Sequence, residues 1–222
     1  MCKKLGSGPY SPVIDPANFP TSTTIDNPLF PLSPGTIFVY EGKTAEGFEH
    51  VEFAVTAGTK VILGITCVEV HDTRAVDGVV VEDTRDWFTQ DKDGNVWYFG
   101  ENTAIVEDGL PTDLSGTWTG GVVGAQPAII MKAHPAIGDF YRQEFFVGEA
   151  EDLAEVKSLT ASESTPFTSC AGTCLETEES STLAPGDVEH KFYKPGVGNI
   201  LTIDFAANPP ERSELVNIIK KK

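Results

Sequence analysis

Two aromatic-rich runs meeting at Asp93-Gly94-Asn95 limit what this chain can fold into more than any other stretch. Residues 83–101 read DTRDWFTQDKDGNVWYFGE and hold Trp87, Trp97 and five acidic side chains around that turn. A tight Asp-Gly turn between strand-like runs is the strongest short-range signal for a β-hairpin. A hairpin is therefore expected at the centre of the fold.

The pattern on either side agrees. Val51, Phe53 and Val55 alternate with Glu52, Ala54 and Thr56, a period of two that marks a half-buried strand. Residues 36–41, 60–72, 79–90 and 96–100 read as further strands joined by short Gly-containing turns, a meander of antiparallel neighbours. Residues 140–148 alternate again, and 149–158 read as strand continuation slightly ahead of a helix. Strands are also expected at 167–183, at 190–205 around the turn Lys194-Pro195-Gly196-Val197-Gly198, and at 215–219. The fold class is mainly β: a single curved antiparallel sheet or open half barrel of about ten strands with at most one short helix. Residues 1–24 are rich in Pro, Ser and Thr and read as a flexible tether. Residues 25–219 form one β domain, and 220–222 a basic tail.

Charge narrows the partners. With 16 basic and 33 acidic residues the formal charge is -17, so phosphate backbones and anionic membrane surfaces are repelled, and nucleic acid is not expected as a partner. No apolar run reaches the roughly 18 residues of a membrane-spanning helix. The start Met1-Cys2-Lys3-Lys4 fits a lipoprotein whose lipid-bearing residue is Cys2, or an ordinary start with an incidental cysteine. Any membrane association is expected through that anchor alone. Cys170 and Cys174 flank Ala-Gly-Thr and are close enough in sequence for a local disulfide, which fits an extracytoplasmic location, periplasm or cell surface. Cys67 lies in an apolar run and reads as a buried thiol.

Several segments then show a pattern together: Ile25-Asp26-Asn27-Pro28 with Pro31-Leu32-x-Pro34-Gly35, Gly94-Asn95-Val96-Trp97-Tyr98-Phe99-Gly100-Glu101, Gly138-Asp139-x-Tyr141-Arg142-Gln143-Glu144 and Tyr193-x-Pro195-Gly196-Val197-Gly198. Over residues 25–205 the chain resembles a group of bacterial and archaeal exported proteins and lipoproteins without an assigned biochemical role. In outline it is also similar to lipoprotein-carrier folds. The resemblance implies a sheet fold and export, and no activity.

Asp91, Asp93 and Asn95 place three oxygen side chains at alternate positions, as a calcium site does, yet the spacing is not that of an EF-hand and the same letters close a hairpin. Calcium is thus the one ion for which the sequence offers a motif. His71, His134 and His190 sit on separate segments without ligand spacing, though strands could gather them around copper or zinc. Glu82, Asp83, Asp86, Glu101, Glu144, Glu149 and Asp152 recur on strands. If the sheet curls, some must share its concave side, where Arg85, Arg142 and Lys191 would have to compensate them. No nucleophile elbow, Cys-His pairing or phosphate loop is recognisable, and catalysis is not expected.

Trp87, Trp97, Tyr98, Trp118 and Tyr141 are the candidate ligand-facing residues, because flat amphipathic rings line pockets while bonding at one edge. Trp118 lies in the Gly-rich stretch 102–126, expected to be a long loop that contains one short strand and covers a sheet cavity, with little around the indole to bury it. The leading expectation is an exported β protein binding a small or apolar ligand in that cavity. The alternatives are a metal-binding protein using strand carboxylates and histidines, and a surface module for protein interaction.

Overall fold

A computed structural model describes residues 10–221. Fourteen strands make one antiparallel sheet in the order β6-β5-β4-β3-β2-β1-β14-β13-β12-β11-β10-β9, with β7 and β8 also pairing β5. The first meander runs through β1 (Thr36–Lys43), β2 (Phe48–Ile62), β3 (Ile65–Val76), β4 (Val79–Gln90), β5 (Val96–Glu107) and β6 (Leu110–Asp113). After β7 (Trp118–Thr119) and β8 (Ala128–Met131), the second runs through β9 (Phe140–Arg142), β10 (Asp152–Ser164), β11 (Ser169–Ser181), β12 (Val188–Lys194), β13 (Gly198–Asp204) and β14 (Glu211–Lys220). The two meanders join where β1 pairs β14, from Thr36↔Lys220 to Lys43↔Arg212.

The curved, open, mainly β architecture agrees with expectation, but the strand count exceeds the expected ten. The difference lies mostly in residues 102–126. They continue β5, fold back as β6 and add β7, because Asp108 and Gly109 both take positive φ (51° and 76°). That geometry suits a two-residue turn whose twist matches the flanking strands. Leu63-Gly64 and Asp77-Gly78 turn in the same way. The central hairpin is different: five residues separate β4 from β5, and Asp91 N–H bonds the Asn95 carbonyl at 2.9 Å. Residues 143–150, expected to continue a strand, instead form a compact loop with Gly148 at φ 80° and a Phe146–Ala150 bridge. Residues 152–158 are strand, as expected.

Alternation assigns the two faces. Cross-strand partners Tyr40↔Val51 and Phe38↔Phe53, with Phe53↔Asp72 and Phe88↔Tyr98, place those side chains on the concave face. A bulge between Trp87 and Phe88 lets Glu101 stay on that face opposite Asp86. On the convex face Ile62, Ile65, Cys67, Trp87 and Phe99 form a second, smaller core, closed by Ile14, Phe19 and Trp97. The stretch read as a tether is thus anchored at three points, Ile14 and Phe19 on the convex core and Tyr10 on Phe145 and the Pro127 carbonyl. A 3-10 turn (Pro16–Asn18) capped by Asp15 presents Phe19 edge-on to Phe99 at 5.6 Å.

The β10–β11 hairpin bends back over the sheet. Its tip is held by Phe167 N–H on the Leu215 carbonyl (3.2 Å), by Arg212 on Glu163 (3.3 Å) and by Lys194 Nζ on the Thr168 hydroxyl (2.6 Å). Cys170 and Cys174, 5.8 Å apart at Cα, form the expected disulfide in this arm. Cys67 is free and fully buried, which pushes its thiol up to about 12.

Candidate functional site

The concave face lines a partly open cavity of about 290 Å³ between the two meanders. Its apolar wall is aromatic. Phe88 stacks on Tyr98 with centroids 4.7 Å apart, while Phe30 meets Phe88 at 5.4 Å and Phe53 at 6.4 Å, both near edge-on. These are the separations at which ring quadrupoles attract. Phe30, Pro31 and Leu32, from a strap preceding β1, complete the lining on one side.

Local sequence explains how the strap is held. Asn27, buried at 3% exposure, accepts Leu29 N–H at its own Oδ1 and donates Nδ2–H to the carbonyls of Gly94 (2.9 Å) and Lys132 (3.3 Å). Gln90 Oε1 accepts the backbone N–H of both Asp26 and Asn27 at 2.9 Å. Gly196 N–H binds the Pro28 carbonyl at 2.7 Å, which ties the other meander to the same strap. The Ile25-Asp26-Asn27-Pro28 and Lys194-to-Gly198 motifs therefore act as fasteners of one lip.

The polar wall carries charge. Asp72 on β3, Asp86 on β4 and Lys191 on β12 all line the cavity. Asp86, 6% exposed, accepts the Tyr98 hydroxyl at 2.5 Å. Burial pushes its carboxyl up to about 7, against the pull of Tyr98, with Glu82 adding repulsion. Burial, then Asp86 and Glu82, raises Asp72 well above the carboxylate range, and only Lys191 opposes this. Lys191 itself is engaged, with Nζ 2.8 Å from Glu179 and 3.6 Å from Glu189. Burial acts to raise Glu179, but Lys191 with Thr177 and Gln143 hold it below its ordinary value. Tyr193 donates to the same carboxylate at 3.1 Å.

Outside the lining, the acidic row continues. Glu101 is pushed up to about 8 by burial and Asp86. Glu144 is raised by burial and by Glu101, and accepts Trp118 Nε1–H at 2.9 Å.

The five aromatic candidates divide between the faces. Tyr98 lines the cavity. Trp118 is adjacent, 5.3 Å from Tyr98 and only 3% exposed. The expectation of a poorly covered indole is thereby overturned, because β7 pairs β5 at Glu101 and turns the ring inward onto Glu144. Tyr141 sits on the concave side opposite Ala154, its hydroxyl buried without a partner among the described residues. Trp87 and Trp97 point the other way: Trp87 lies under Lys60 Nζ at 3.3 Å from its ring centre, and Trp97 packs against Phe19. Sequence reading missed the strap residues and the Asp72–Asp86 pair. The available signal was the alternation Glu82, Thr84, Asp86, Phe88, which puts carboxylates and an aromatic on one face.

At the central turn, Asp91 is engaged by Asn95 N–H (2.8 Å), Asn95 Nδ2 (2.9 Å) and Trp97 Nε1 (2.8 Å), while Asp93 is exposed. The Asp91 oxygens thus brace the loop and face the protein. Histidines pair with carboxylates, His71 with Asp83 at 3.1 Å and His190 with Glu176 at 2.8 Å. Among the described residues no group of three or more His, Cys, Asp or Glu is arranged to hold a metal ion, and no helix is long and apolar enough to cross a membrane. Cys2 lies outside the described residues.

Comparison of the sequence with family models and with curated proteins gives no match. Among solved structures, the chain is similar to a "putative exported protein with YmcC-like fold" from Bacteroides fragilis. That likeness has a TM-score of 0.48 and 16% identity, and covers 86% of this chain and 99% of the other. It is also similar to a "putative lipoprotein" from Parabacteroides distasonis, with a TM-score of 0.41, 15% identity, and 86% and 97% covered.

Proposed function

We propose that this is an extracytoplasmic, non-catalytic binding protein that takes one small ligand with an apolar body into the cavity between the meanders. The observation that carries this reading is the lining. Phe30, Phe38, Phe53, Phe88 and Ile130 form a preformed apolar wall, with Asp72, Asp86 and Lys191 gathered on the other side. An apolar enclosure with a few convergent polar groups is the usual form of a small-molecule site, and about 290 Å³ is at the small end of that class. The disulfide supports an oxidising compartment.

The test is titration with the neutral fluorescent probe N-phenyl-1-naphthylamine. Saturable enhancement at one site is expected, and its loss when Val51→Trp or Ser213→Trp fills the cavity without shifting the melting transition. Absence of saturable enhancement in the wild type, or an equal response in a plugged but folded variant, overturns the reading.

A further inference from the structure

We infer that the ligand taken by this cavity carries an ammonium group, seated between Asp72 and Asp86, with its apolar body against Phe30, Phe53 and Phe88. This inference rests on the binding reading above and adds the ligand's chemical class.

The distribution of charge is the first ground. Asp72 and Asp86 occupy adjacent strands as diagonal neighbours on one face, since Val70 is opposite Asp86 and Asp72 opposite Thr84. Lys191, the one cationic residue in the lining, is held at 2.8 and 3.6 Å by Glu179 and Glu189, which themselves outnumber it. A ligand anion would meet a wall of net negative charge. A neutral ligand would leave the buried Asp86 and the half-buried Asp72 with only the already engaged Lys191 to offset them, so that they would hold protons instead of a partner.

The second ground is unused hydrogen-bonding capacity. Asp72 receives no hydrogen bond from any described residue, and Asp86 receives one, from Tyr98. The lining residue Asn199 keeps its side-chain oxygen buried without a donor. The unfilled positions are therefore acceptors, and an ammonium is a group of donors only.

The third ground is the aromatic wall. Ring faces within reach of a cation attract it, and Phe53 and Phe88 adjoin the two carboxylates in the lining. Because no three ligating side chains converge among the described residues, the wall matches an organic cation with its own apolar body better than a bare metal ion.

Protons compete for the same carboxylates. The groups facing Asp72 and Asp86 are Glu82 from their own hairpin, Glu101 and Tyr98 from β5, Tyr40 from β1 and Lys191 from β12. Asp86 gains its proton near pH 7, so ammonium affinity is expected to fall from pH 8 to pH 6.

The experiment is displacement of N-phenyl-1-naphthylamine near pH 8 by 3-phenylpropylammonium, 3-phenylpropan-1-ol and 3-phenylpropanoate, which share one apolar body. The ammonium is expected to displace at a concentration at least about tenfold lower than the alcohol, and the carboxylate not at all. In the Asp72→Asn/Asp86→Asn double variant the ammonium should lose that advantage while probe and alcohol affinities persist. Equal displacement by alcohol and ammonium, or preference for the carboxylate, with the probe still bound overturns the ammonium inference and leaves the binding reading intact. Failure of the probe itself to bind removes both. The wild-type comparison decides even if the double variant does not fold.

Discussion

At the residue scale, Asp86 links the cavity to the stability of the fold. Its carboxyl titrates near 7 in the native chain against an ordinary 3.8. The native state thus holds a proton that the unfolded state releases across that interval. Stability contributed this way is fully present near pH 4 and falls as pH rises through about 7, by at most about 4 kcal/mol. Glu101, near 8, moves in the same direction and extends the decline. The melting temperature is accordingly expected to be higher at pH 5 than at pH 8 in the absence of ligand. Asp86→Asn, which keeps an acceptor for Tyr98, should raise the pH 8 value and flatten the profile. An unchanged slope in that variant would show that Asp86 titrates normally. Little of this was legible in the sequence. Strand carboxylates were visible, and Lys191 was identified as one residue able to compensate them. Whether Asp83 or Asp86 faced inward depended on a parity that only the pairing with β3 settles.

At the scale of elements, the N-terminal stretch and the 102–126 segment show where composition misleads. Pro- and Ser-rich residues have weak intrinsic preference, so residues 10–24 read as tether, yet Ile14 and Phe19 supply the apolar surface that closes the convex core over Cys67 and Phe99. In a Cys2→Ser background Cys67 is expected to be inert to thiol reagents. Phe19→Ala should accelerate its modification and cost about 1–3 kcal/mol in a urea titration, less than a fully buried Phe because the ring is partly exposed. A thiol that reacts as fast with Phe19 as without it would mean that the segment does not cover the sheet. The Gly-rich stretch misled in the opposite sense. Its glycines do not make a loose lid. They turn a hairpin and a short strand tightly enough to bury Trp118.

On the scale of the whole molecule, β1 and β14 meet in mid-sheet, and among the described residues theirs is the only ladder joining the meanders in the strand order. Gly42 sits in that ladder opposite Ser213, and a Cβ there would collide with the Arg212 carbonyl oxygen. Backbone cannot yield as a flexible side chain does. Gly42→Ala is therefore expected to cost about 3 kcal/mol. Amide exchange should accelerate in β1 and β14 before β3 and β4. Uniform acceleration would instead mean that the two meanders open as one unit.

The chain by itself determined that it would be a curved antiparallel sheet, because period-two alternation and Gly-containing turns are local and admit few other structures. It also determined that a Cys170–Cys174 bridge was within reach, because four positions of separation and a glycine place two sulfurs close whatever surrounds them. Tertiary structure decided which face each aromatic serves, sending Tyr98 into the cavity and Trp87 and Trp97 to the convex side. It decided as well that Asp72 and Asp86 would share an enclosure with Lys191. Those outcomes depend on bulges, register and the meeting of strands more than a hundred residues apart, and a slip of one residue anywhere along the ladder would exchange inside for outside.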